Sequence, residues 1–296
     1  MKFLKFLVII LLIAATALVG ASFYYAPLYF ILPREVALAE DSDTMTIMST
    51  NVRFYNPLDT YERSWMYRAP LIVEDINAVQ PDIIGFQEST FIHYDYLTDA
   101  LDGYASENAY RDDFILSEGC PIFYRRDKFE LIDSGSFWLS ETPDEMSKDW
   151  GSEHYRICVY VKLREKASGK QFAVFNTHLD SKSEEARIKG IAVVLEKIRE
   201  LGGVSSYLMG DLNAKENSET MAQAYESFND SQKLAPVTED TVTYHNWGTG
   251  DSAKRIDYIL VSKSGIEVTE YHVVDNCHGG VYSSDHASIY VKTRLK

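Results

Sequence analysis

The sequence predicts an α/β fold, in which short apolar strands alternate with amphipathic helices. Two observations carry this prediction. Several apolar runs of strand length, such as residues 207–209, lead into polar residues, and the stretches 67–79 and 181–201 show helical spacing of their apolar side chains. Because α/β folds bind ligands at the carboxyl ends of strands, the polar residues at these ends are the first candidates for function.

Length, composition and charge limit the organisation of the chain and its partners. The chain has 296 residues, 46% of them hydrophobic, which is enough for one large domain or two smaller ones. Its formal net charge of −15 argues against loose association with nucleic acid or an anionic membrane surface. The cysteines Cys120, Cys158 and Cys277 form no C-x-x-C pair and no even framework, so they allow one disulfide and require none.

The N-terminal segment predicts export of everything that follows it. Residues 6–33 contain no charged side chain, and Lys2 and Lys5 precede them. Such a segment, with tyrosines in its second half, is typical of a signal peptide or a single membrane anchor. Small residues at 19–21, or at 37–39, would allow cleavage, but the length of the segment favours an uncleaved anchor.

This interpretation divides the chain into three parts. We expect a transmembrane helix within residues 1–33 and a polar linker over residues 34–43. Residues 44–296 then form a domain on the extracytoplasmic side of the cell membrane, or a secreted one if the N-terminal segment is cleaved.

The first two predicted strands end in polar residues. Residues 44–52 form a strand that contains Asn51 near its end, and residues 82–88 form a buried strand that ends in Glu88. A helix over 67–79 lies between them and stops before Pro81. Asn51 and Glu88 are candidate ligand-binding residues, although a helix cap or a surface position explains each equally well on its own.

The middle of the chain predicts a hairpin and one candidate phosphate ligand. Residues 119–129 and 131–139 are expected to pair, with the basic residues 125–128 in a solvated turn. A strand over 156–163 follows, and Arg156 lies at its mouth. An arginine in that place binds a phosphate group or forms a structural ion pair, and the sequence leaves both open.

The strand over residues 171–179 brings His178 to a strand end. We expect a helix to begin directly afterwards, with Ser181 and Glu184 as a capping box, and to end at Gly202. A lone histidine is usually a satisfied core residue. Its position before a helix N-terminus, which favours anions, makes His178 a candidate for function.

The run 207–209 leads through Gly210 into Asp211 and Asn213. Residues two apart on an extended chain point the same way, so these two side chains are expected to address one point in space. A proton acceptor beside a neutral hydrogen-bond donor suits a site that deprotonates water and then holds an anion. The same motif also forms ordinary Asx turns, so by itself it does not establish a functional site.

The C-terminal third adds a buried aspartate and an Asp-His pair. Asp257 lies inside the apolar run 255–261, and because a buried, unpaired carboxylate is costly it should have a partner, most usefully a histidine. Asp285 and His286 precede the last strand, over residues 287–295. Adjacent side chains on an extended backbone point apart, so we assign them different roles, one at a metal ion and one at the substrate.

Taken together, these motifs resemble the endonuclease/exonuclease/phosphatase family of metal-dependent phosphohydrolases, which includes DNase I-like nucleases, inositol-polyphosphate phosphatases and sphingomyelinases. They occur in the order of the family and span residues 44–296. The matching motifs are Asn51, Gln87-Glu88, Asn176-Thr177-His178-Leu179-Asp180, Gly210-Asp211-Leu212-Asn213, Arg255-Ile256-Asp257-Tyr258 and Ser284-Asp285-His286. One departure is Ser181, where many bacterial relatives carry a second histidine; it touches substrate preference more than chemistry.

The resemblance implies the architecture and the metal site. The architecture is a four-layer sandwich of two packed mixed β-sheets flanked by helices, with the site at one end. Asn51, Glu88 and Asp285 would surround Mg²⁺, with Mn²⁺ as an alternative, because a hard cation prefers oxygen ligands.

The resemblance also implies catalytic roles. Asp211 would orient or deprotonate the attacking water, and Asn213 would steady that water. His286, held in one tautomer by Asp257, and His178 would donate hydrogen bonds to the phosphoryl oxygens as charge builds. The residues expected to bind the phosphate are His178, Asn213 and Arg156.

We therefore expect an exported, membrane-anchored Mg²⁺-dependent phosphodiesterase or phosphatase that acts as a monomer. Small phosphoesters or lipid headgroups are favoured over nucleic acid, because a nuclease needs several basic contacts and this chain is acidic. An extracellular nuclease and a sphingomyelinase-like phospholipase are the competing enzymes. A surface binding module without catalysis is the alternative of another class, and the intact set of acidic and histidine residues argues against it.

Overall fold

The protein, described by a computed structural model over residues 2–25, 35–38 and 42–296, forms two large β-sheets with helices on their outer faces. A 3-10 turn covers Tyr61–Arg63. The helices, numbered in chain order, are α1 Lys2–Tyr25, α2 Trp65–Val79, α3 Phe91–Ala100, α4 Glu184–Glu200, α5 Glu219–Ser227 and α6 Ser231–Leu234.

The strands follow the apolar runs of the sequence closely. In chain order they are β1 Met45–Asn51, β2 Ile83–Gln87, β3 Tyr104–Glu107, β4 Ile122–Arg125, β5 Phe129–Trp138, β6 Ile157–Glu165, β7 Gln171–His178, β8 Ser205–Asp211, β9 Phe228–Asp230, β10 Asp257–Ser262, β11 Ile266–Val273, β12 Cys277–His278, β13 Val281–Tyr282 and β14 Ile289–Leu295.

Both six-stranded sheets are mixed. The first has the order β11-β14-β1-β2-β4-β3 and the second has the order β5-β6-β7-β8-β10-β9. Near the middle of each sheet lies one parallel pair, β1 with β2 and β7 with β8. Because parallel strands end at the same edge, each pair delivers two adjacent carboxyl ends, and these four ends build the site described below.

The two sheets pack face to face through an apolar layer, and helices cover both outer surfaces. Ile47 and Ile83 from the first sheet and Val174 and Met209 from the second belong to the layer between the sheets. Helices α2 and α3 pack on the outer face of the first sheet, and α4 and α5 on that of the second. The expected four-layer sandwich is confirmed.

Helix α1 lies within the segment expected to form a membrane anchor. Among the residues that the structure describes, no helix is both long enough and apolar enough to cross a membrane. The expected transmembrane helix is therefore not supported. The aromatic residues Tyr29 and Phe30, the boundary at residues 33 and 34 and the second cleavage site around Ala39 lie outside the described residues.

The hairpin expected over residues 119–139 is wrong. Strand β4 pairs with β2 and β3 in the first sheet, whereas β5 pairs with β6 in the second. The basic residues between them therefore lie where the chain crosses from one sheet to the other. Arg125 is buried against Asp82 and Asp127, and Lys128 Nζ lies 2.8 Å from Asp82 Oδ1, so the turn is not simply solvated.

The helix expected to start at Ser181 begins later. Helix α4 starts at Glu184, and its N-cap is Ser183, whose side chain accepts a backbone hydrogen bond from the first turn. The delay has a local cause: Asp180 Oδ1 accepts hydrogen bonds from the backbone N–H groups of Lys182 and Ser183, which forms a turn before the helix. The chain's own side chains thus occupy the N–H groups that were expected to favour an anion.

Candidate active site

The carboxyl ends of β1, β2, β7 and β8 meet at one end of the sandwich. The residues at these ends are Asn51, Glu88, His178 and Asp211, and Asn51 Nδ2 lies 3.2 Å from Asp211 Oδ2 across the two sheets. Beside them lies a cavity of about 380 Å³. Its walls include Arg53, Phe54, Glu88, Arg111, Glu118, His154, Arg156, His178, Ser181, Asp211, Asn213, Tyr244, Ser252, Lys254, Asp285 and His286.

Hydrogen bonds from two directions fix the Glu88 carboxylate. Its backbone has a φ of 60°, a left-handed conformation that turns the chain out of β2. Oε1 accepts from Asn51 Nδ2 at 3.0 Å, and Oε2 accepts from the backbone N–H of Phe54 at 2.6 Å. Asn51 Nδ2 also donates to Asp211, while Asn51 Oδ1 accepts from Arg53 N at 2.9 Å and keeps a second lone pair.

Asp211 and Asn213 converge on His178, but strand alternation is not the cause. Asn213 has a φ of 46°, and its backbone N–H donates to Asp211 Oδ1 at 2.9 Å, which is an Asx turn. The turn brings Asn213 Nδ2 within 3.0 Å of His178 Nε2, and Asp211 Oδ2 lies 3.5 Å from the same nitrogen. The motif is therefore both a turn and a cluster of polar side chains.

Asp257 has the histidine partner that its burial required. His286 Nδ1 lies 2.9 Å from Asp257 Oδ2, and Thr243 Oγ1 donates to the same carboxylate oxygen at 2.5 Å. The other ring nitrogen of His286 lies 3.8 Å from Asp211 Oδ2. A chain of polar contacts thus runs from Thr243 through Asp257 and His286 to Asp211.

Burial and neighbouring charges set the protonation of these groups. Burial opposes the charged form of His286, but the charge of Asp257, its hydrogen bond and the charge of Asp211 together raise the His286 pKa to about 10. Burial and then the Asp257 charge raise the pKa of Asp211 to about 7. Burial and then the charge of Arg156 lower the pKa of His178 well below its ordinary value. A charged His286 therefore faces a neutral His178 at neutral pH.

The donor set on the Glu88 side of the cavity fits a divalent cation. Burial raises the pKa of Asp285, and the nearby charge of Glu88 adds to this effect. Buried carboxylates that repel one another are stabilised by a cation, and oxygen ligands suit Mg²⁺ or Mn²⁺. Two groups in the described part of the chain bring three ligand atoms within 4.8 Å of one another, Glu88 with His178 and Asp211, and Asp211 with Asp257 and His286.

In the group of Asp211, Asp257 and His286, the Asp257 carboxylate is already paired with the His286 ring and so does not need a cation. Glu88 therefore marks the side on which the residues fit a cation. Asp285 lies near Glu88, whose charge acts on its carboxylate, and Asp285 Oδ2 is 3.6 Å from Arg53 Nη1, whereas His286 contacts Asp257. The two neighbours thus have different contact partners, and their separate roles stay a prediction.

Arg156 lies in the cavity wall and is only 6% exposed. Its Nε is 3.8 Å from Asp180 Oδ2 and has no hydrogen-bond partner among the described residues. The ion pair is therefore long and leaves hydrogen-bonding capacity on the guanidinium. Both sequence interpretations, an ion pair and a phosphate ligand, are compatible with this arrangement.

The sequence interpretation missed several side chains of the cavity wall. Arg53 lies two residues after Asn51, so its position next to a strand end was an available signal. Arg111 and Glu118 form an ion pair of 2.7 Å within a loop, and Lys254 comes from another loop. Loops have no periodic pattern, and the sequence therefore gave no signal for these three residues.

The protein has two packed mixed sheets, with buried carboxylates and two histidines at one end. This arrangement is typical of a metal-dependent phosphoester hydrolase. The chain belongs to the endonuclease/exonuclease/phosphatase family, whose sequence profile matches residues 48–286. The resemblance seen in the six motifs is thereby confirmed, and so is the enzyme class that it implied.

Similar solved structures cover the whole sandwich. An endonuclease/exonuclease/phosphatase from Bacteroides vulgatus is 29% identical with a TM-score of 0.81, over 86% of this chain and 100% of that one. A mannosyl-6-phosphatase from Bacteroides thetaiotaomicron is 31% identical with a TM-score of 0.77, over 85% of this chain and 100% of that one.

Nocturnin from Rattus norvegicus is 25% identical over 231 residues, which are 69% of this chain and 51% of nocturnin. Nocturnin from Homo sapiens is 24% identical over 259 residues, 76% of this chain and 57% of that protein. The chain thus spans about half the length of these curated relatives.

Proposed function

We propose that the chain is a Mg²⁺-dependent hydrolase of small phosphoesters, with phosphorylated sugars as the first substrate class to test. The observation that carries this proposal is the position of Asp211, whose Oδ2 lies 3.5 Å from His178 Nε2 and 3.8 Å from His286 Nε2. A carboxylate between two imidazoles can take a proton from water on one side of a phosphoryl group while charge is stabilised on the other.

In this proposal the catalytic residues have different tasks. Asp211 accepts a proton from the attacking water, and Asn213 holds the Asp211 turn and the water. Charged His286, fixed by Asp257, donates from Nε2 to a phosphoryl oxygen as negative charge develops. In the structure His178 Nε2 accepts from Asn213 Nδ2 at 3.0 Å; neutral His178 donates to the phosphoryl group, which Arg156 also contacts, once the substrate displaces this contact and the ring carries its proton on Nε2.

Glu88 and Asp285, with Asn51 beside them, would hold Mg²⁺ or Mn²⁺. The bound cation would neutralise phosphoryl oxygens and favour deprotonated water. Asn51 donates hydrogen bonds to both Glu88 and Asp211. It thus keeps the Glu88 carboxylate, which would bind the cation, next to the Asp211 carboxylate, which accepts the proton from water.

Charge and size support a small substrate. A net charge of −15 works against a long polyanion, whose binding requires several basic contacts. The basic side chains at the site instead line one cavity of about 380 Å³, a volume typical of small-molecule pockets. The similar mannosyl-6-phosphatase from Bacteroides thetaiotaomicron makes sugar phosphates a reasonable first class.

A panel assay of the full chain with Mg²⁺ tests the proposal. The panel spans sugar phosphates, inositol phosphates, a generic phosphodiester, sphingomyelin, RNA and plasmid DNA. Asp211→Asn serves as the blank, and Asp127→Asn, at the opposite end of the sandwich, serves as the matched control. We expect turnover of small phosphoesters by the native and Asp127→Asn proteins only. Rapid plasmid nicking that falls steeply with salt, without turnover of small substrates, would favour the nuclease instead.

The location and assembly belong to the same proposal. The uncharged residues 6–33 support export, with the catalytic domain outside the cytoplasm as a monomer. Fractionation of cells that express the full chain, with protease added from outside, tests the location. Recovery of the intact domain only in the cytoplasm would refute it, and sedimentation of the purified chain as a dimer would refute the monomer.

A further inference from the structure

Arg68, on helix α2, is the largest fully buried side chain of the protein within the described residues, with 1% of its surface exposed. Its guanidinium group donates hydrogen bonds to backbone carbonyl oxygens. Nη1 donates to Val52 O at 2.8 Å and to Ser283 O at 2.7 Å, and Nε donates to Arg63 O at 2.8 Å. A longer contact of 3.4 Å joins Nη2 to Arg53 O.

Val52 O and Ser283 O belong to the two chain segments that carry Asn51 and Asp285, which are expected to lie at the cation. Val52 directly follows Asn51, and Ser283 lies two residues before Asp285. One guanidinium nitrogen therefore spans the end of β1 and the loop before β14. Ser284 Oγ makes a second link between these segments by donating to Asn51 O at 2.6 Å.

No carboxylate of the described residues forms an ion pair with Arg68. The guanidinium carbon instead lies 5.7 Å from the ring centroid of Trp65 and 5.3 Å from that of Trp247. Burial lowers the Arg68 pKa to about 10, which still leaves the group charged at neutral pH. A buried charge without an ionic partner is costly, so its hydrogen bonds must provide something that an apolar side chain would not.

We propose that Arg68 is a positioning residue that fixes the distance between the Asn51–Glu88 half and the Asp285 half of the cation site, by bridging Val52 O and Ser283 O. This inference rests on the cation site of the proposed function. The charge of Arg68 attracts Asp285 and Glu88, but a positive charge near the site also repels a cation, so the charge does not account for tighter cation binding. The benefit comes from the hydrogen bonds of the guanidinium, because they hold together two loops that are not held together by strand pairing.

Charge and geometry predict opposite results, which makes the inference testable. Removal of the charge alone would tighten cation binding, whereas loss of the bridge would weaken it. Arg68→Met removes both the charge and the bridge. Arg68→Leu is a second apolar variant that removes both, whereas lysine is unsuitable because its ammonium nitrogen has enough donors to bridge Val52 O and Ser283 O as Nη1 does. The matched control is Arg125→Met, which removes a buried arginine at the opposite end of the first sheet.

The measurement is the affinity of the full chain for Mn²⁺ alone, by electron paramagnetic resonance of the free ion, with circular dichroism to verify folding. We expect Arg68→Met and Arg68→Leu to bind Mn²⁺ about tenfold more weakly or worse, and Arg125→Met to bind it like the native chain. If Arg68→Met does not fold, Arg68→Leu decides.

Mn²⁺ binding by either folded Arg68 variant that equals or exceeds native binding would overturn the inference and leave the proposed function intact. A loss of affinity of the same size in Arg125→Met would also overturn it, because the loss would then report general destabilisation. Absence of Mn²⁺ binding by the native chain would overturn the cation site itself, and this inference with it.

Discussion

His286 Nδ1 lies 2.9 Å from Asp257 Oδ2, and this contact connects the two sheets of the sandwich at the candidate active site. Asp257 is the first residue of β10 in the second sheet, and His286 precedes β14 in the first. The position of the imidazole therefore depends on how the sheets pack, as well as on the local sequence.

The first prediction is that Asp257 and His286 act as a unit. Replacement of either by alanine should lower kcat by a similar factor, on the order of 10² or more, because general acid and base groups contribute about that much. The double variant should be little worse, since the partner of a missing group has nothing left to hold. Steady-state kinetics of the double-mutant cycle measures this, with the exposed Glu267→Ala as control. Losses that multiply would show that the two act separately.

The second prediction concerns the cation. Chelation with EDTA should abolish turnover, and Mg²⁺ or Mn²⁺ should restore it. Glu88→Gln should raise the Mg²⁺ concentration needed for half-maximal activity by about tenfold or more, because it removes an anionic ligand and keeps the side-chain volume. Titration of activity with Mg²⁺ measures the shift. Full turnover in excess EDTA would contradict the assignment of the carboxylates.

The third prediction concerns stability and pH in the presence of EDTA. The pKa of Asp211 is raised to about 7 in the folded state, against about 3.8 in the unfolded chain, so the folded protein holds this proton more tightly. The stabilisation is fully present below pH 4 and is lost as the pH rises towards 7.

Asp211→Asn removes this loss. Relative to the variant, the native chain should therefore lose free energy of unfolding between pH 4 and 7, on the order of 4 kcal/mol, since the pKa is raised by about three units and one unit corresponds to about 1.4 kcal/mol. Urea denaturation across this range measures the difference. Parallel pH profiles for the two proteins would mean that the Asp211 carboxylate is not perturbed.

The fourth prediction concerns Gly210, the residue before Asp211. Its φ is 136°, and an added Cβ would collide with the carbonyl oxygen of Thr177 on the neighbouring strand β7. Gly210→Ala should therefore lower the free energy of unfolding by about 2 kcal/mol or more and displace Asp211. Thermal denaturation and residual activity measure both effects. Gly169→Ala is a suitable control, because this glycine also has a positive φ but has open space around it.

Much of the sandwich could be predicted from the sequence because its strands are buried apolar runs. β1, β2, β7, β8 and β10 agree with those runs to within about two residues, and their polar ends marked the candidate site. The partner of Asp257 could also be predicted, because a buried carboxylate needs one.

The failures have a common physical cause, which is that local sequence does not encode tertiary pairing. The runs that became β4 and β5 look like a hairpin but join different sheets. Asn213 reached His178 through a left-handed turn that no apolar spacing indicates. Arg68 belongs to a helix that the sequence predicts, but its hydrogen bond to Ser283, 215 residues further along the chain, is not encoded in the local sequence.

In the proposed reaction, water attacks the phosphorus of a phosphoester next to Asp211 with a cation present. The most direct measurement is turnover of a small phosphorylated sugar in ¹⁸O-labelled water, with mass spectrometry of both products. We expect one ¹⁸O atom in each released phosphate and none in the alcohol, with Mg²⁺ required and Asp211→Asn inactive. Label in the alcohol, or unlabelled phosphate, or equal turnover by Asp211→Asn, would contradict it.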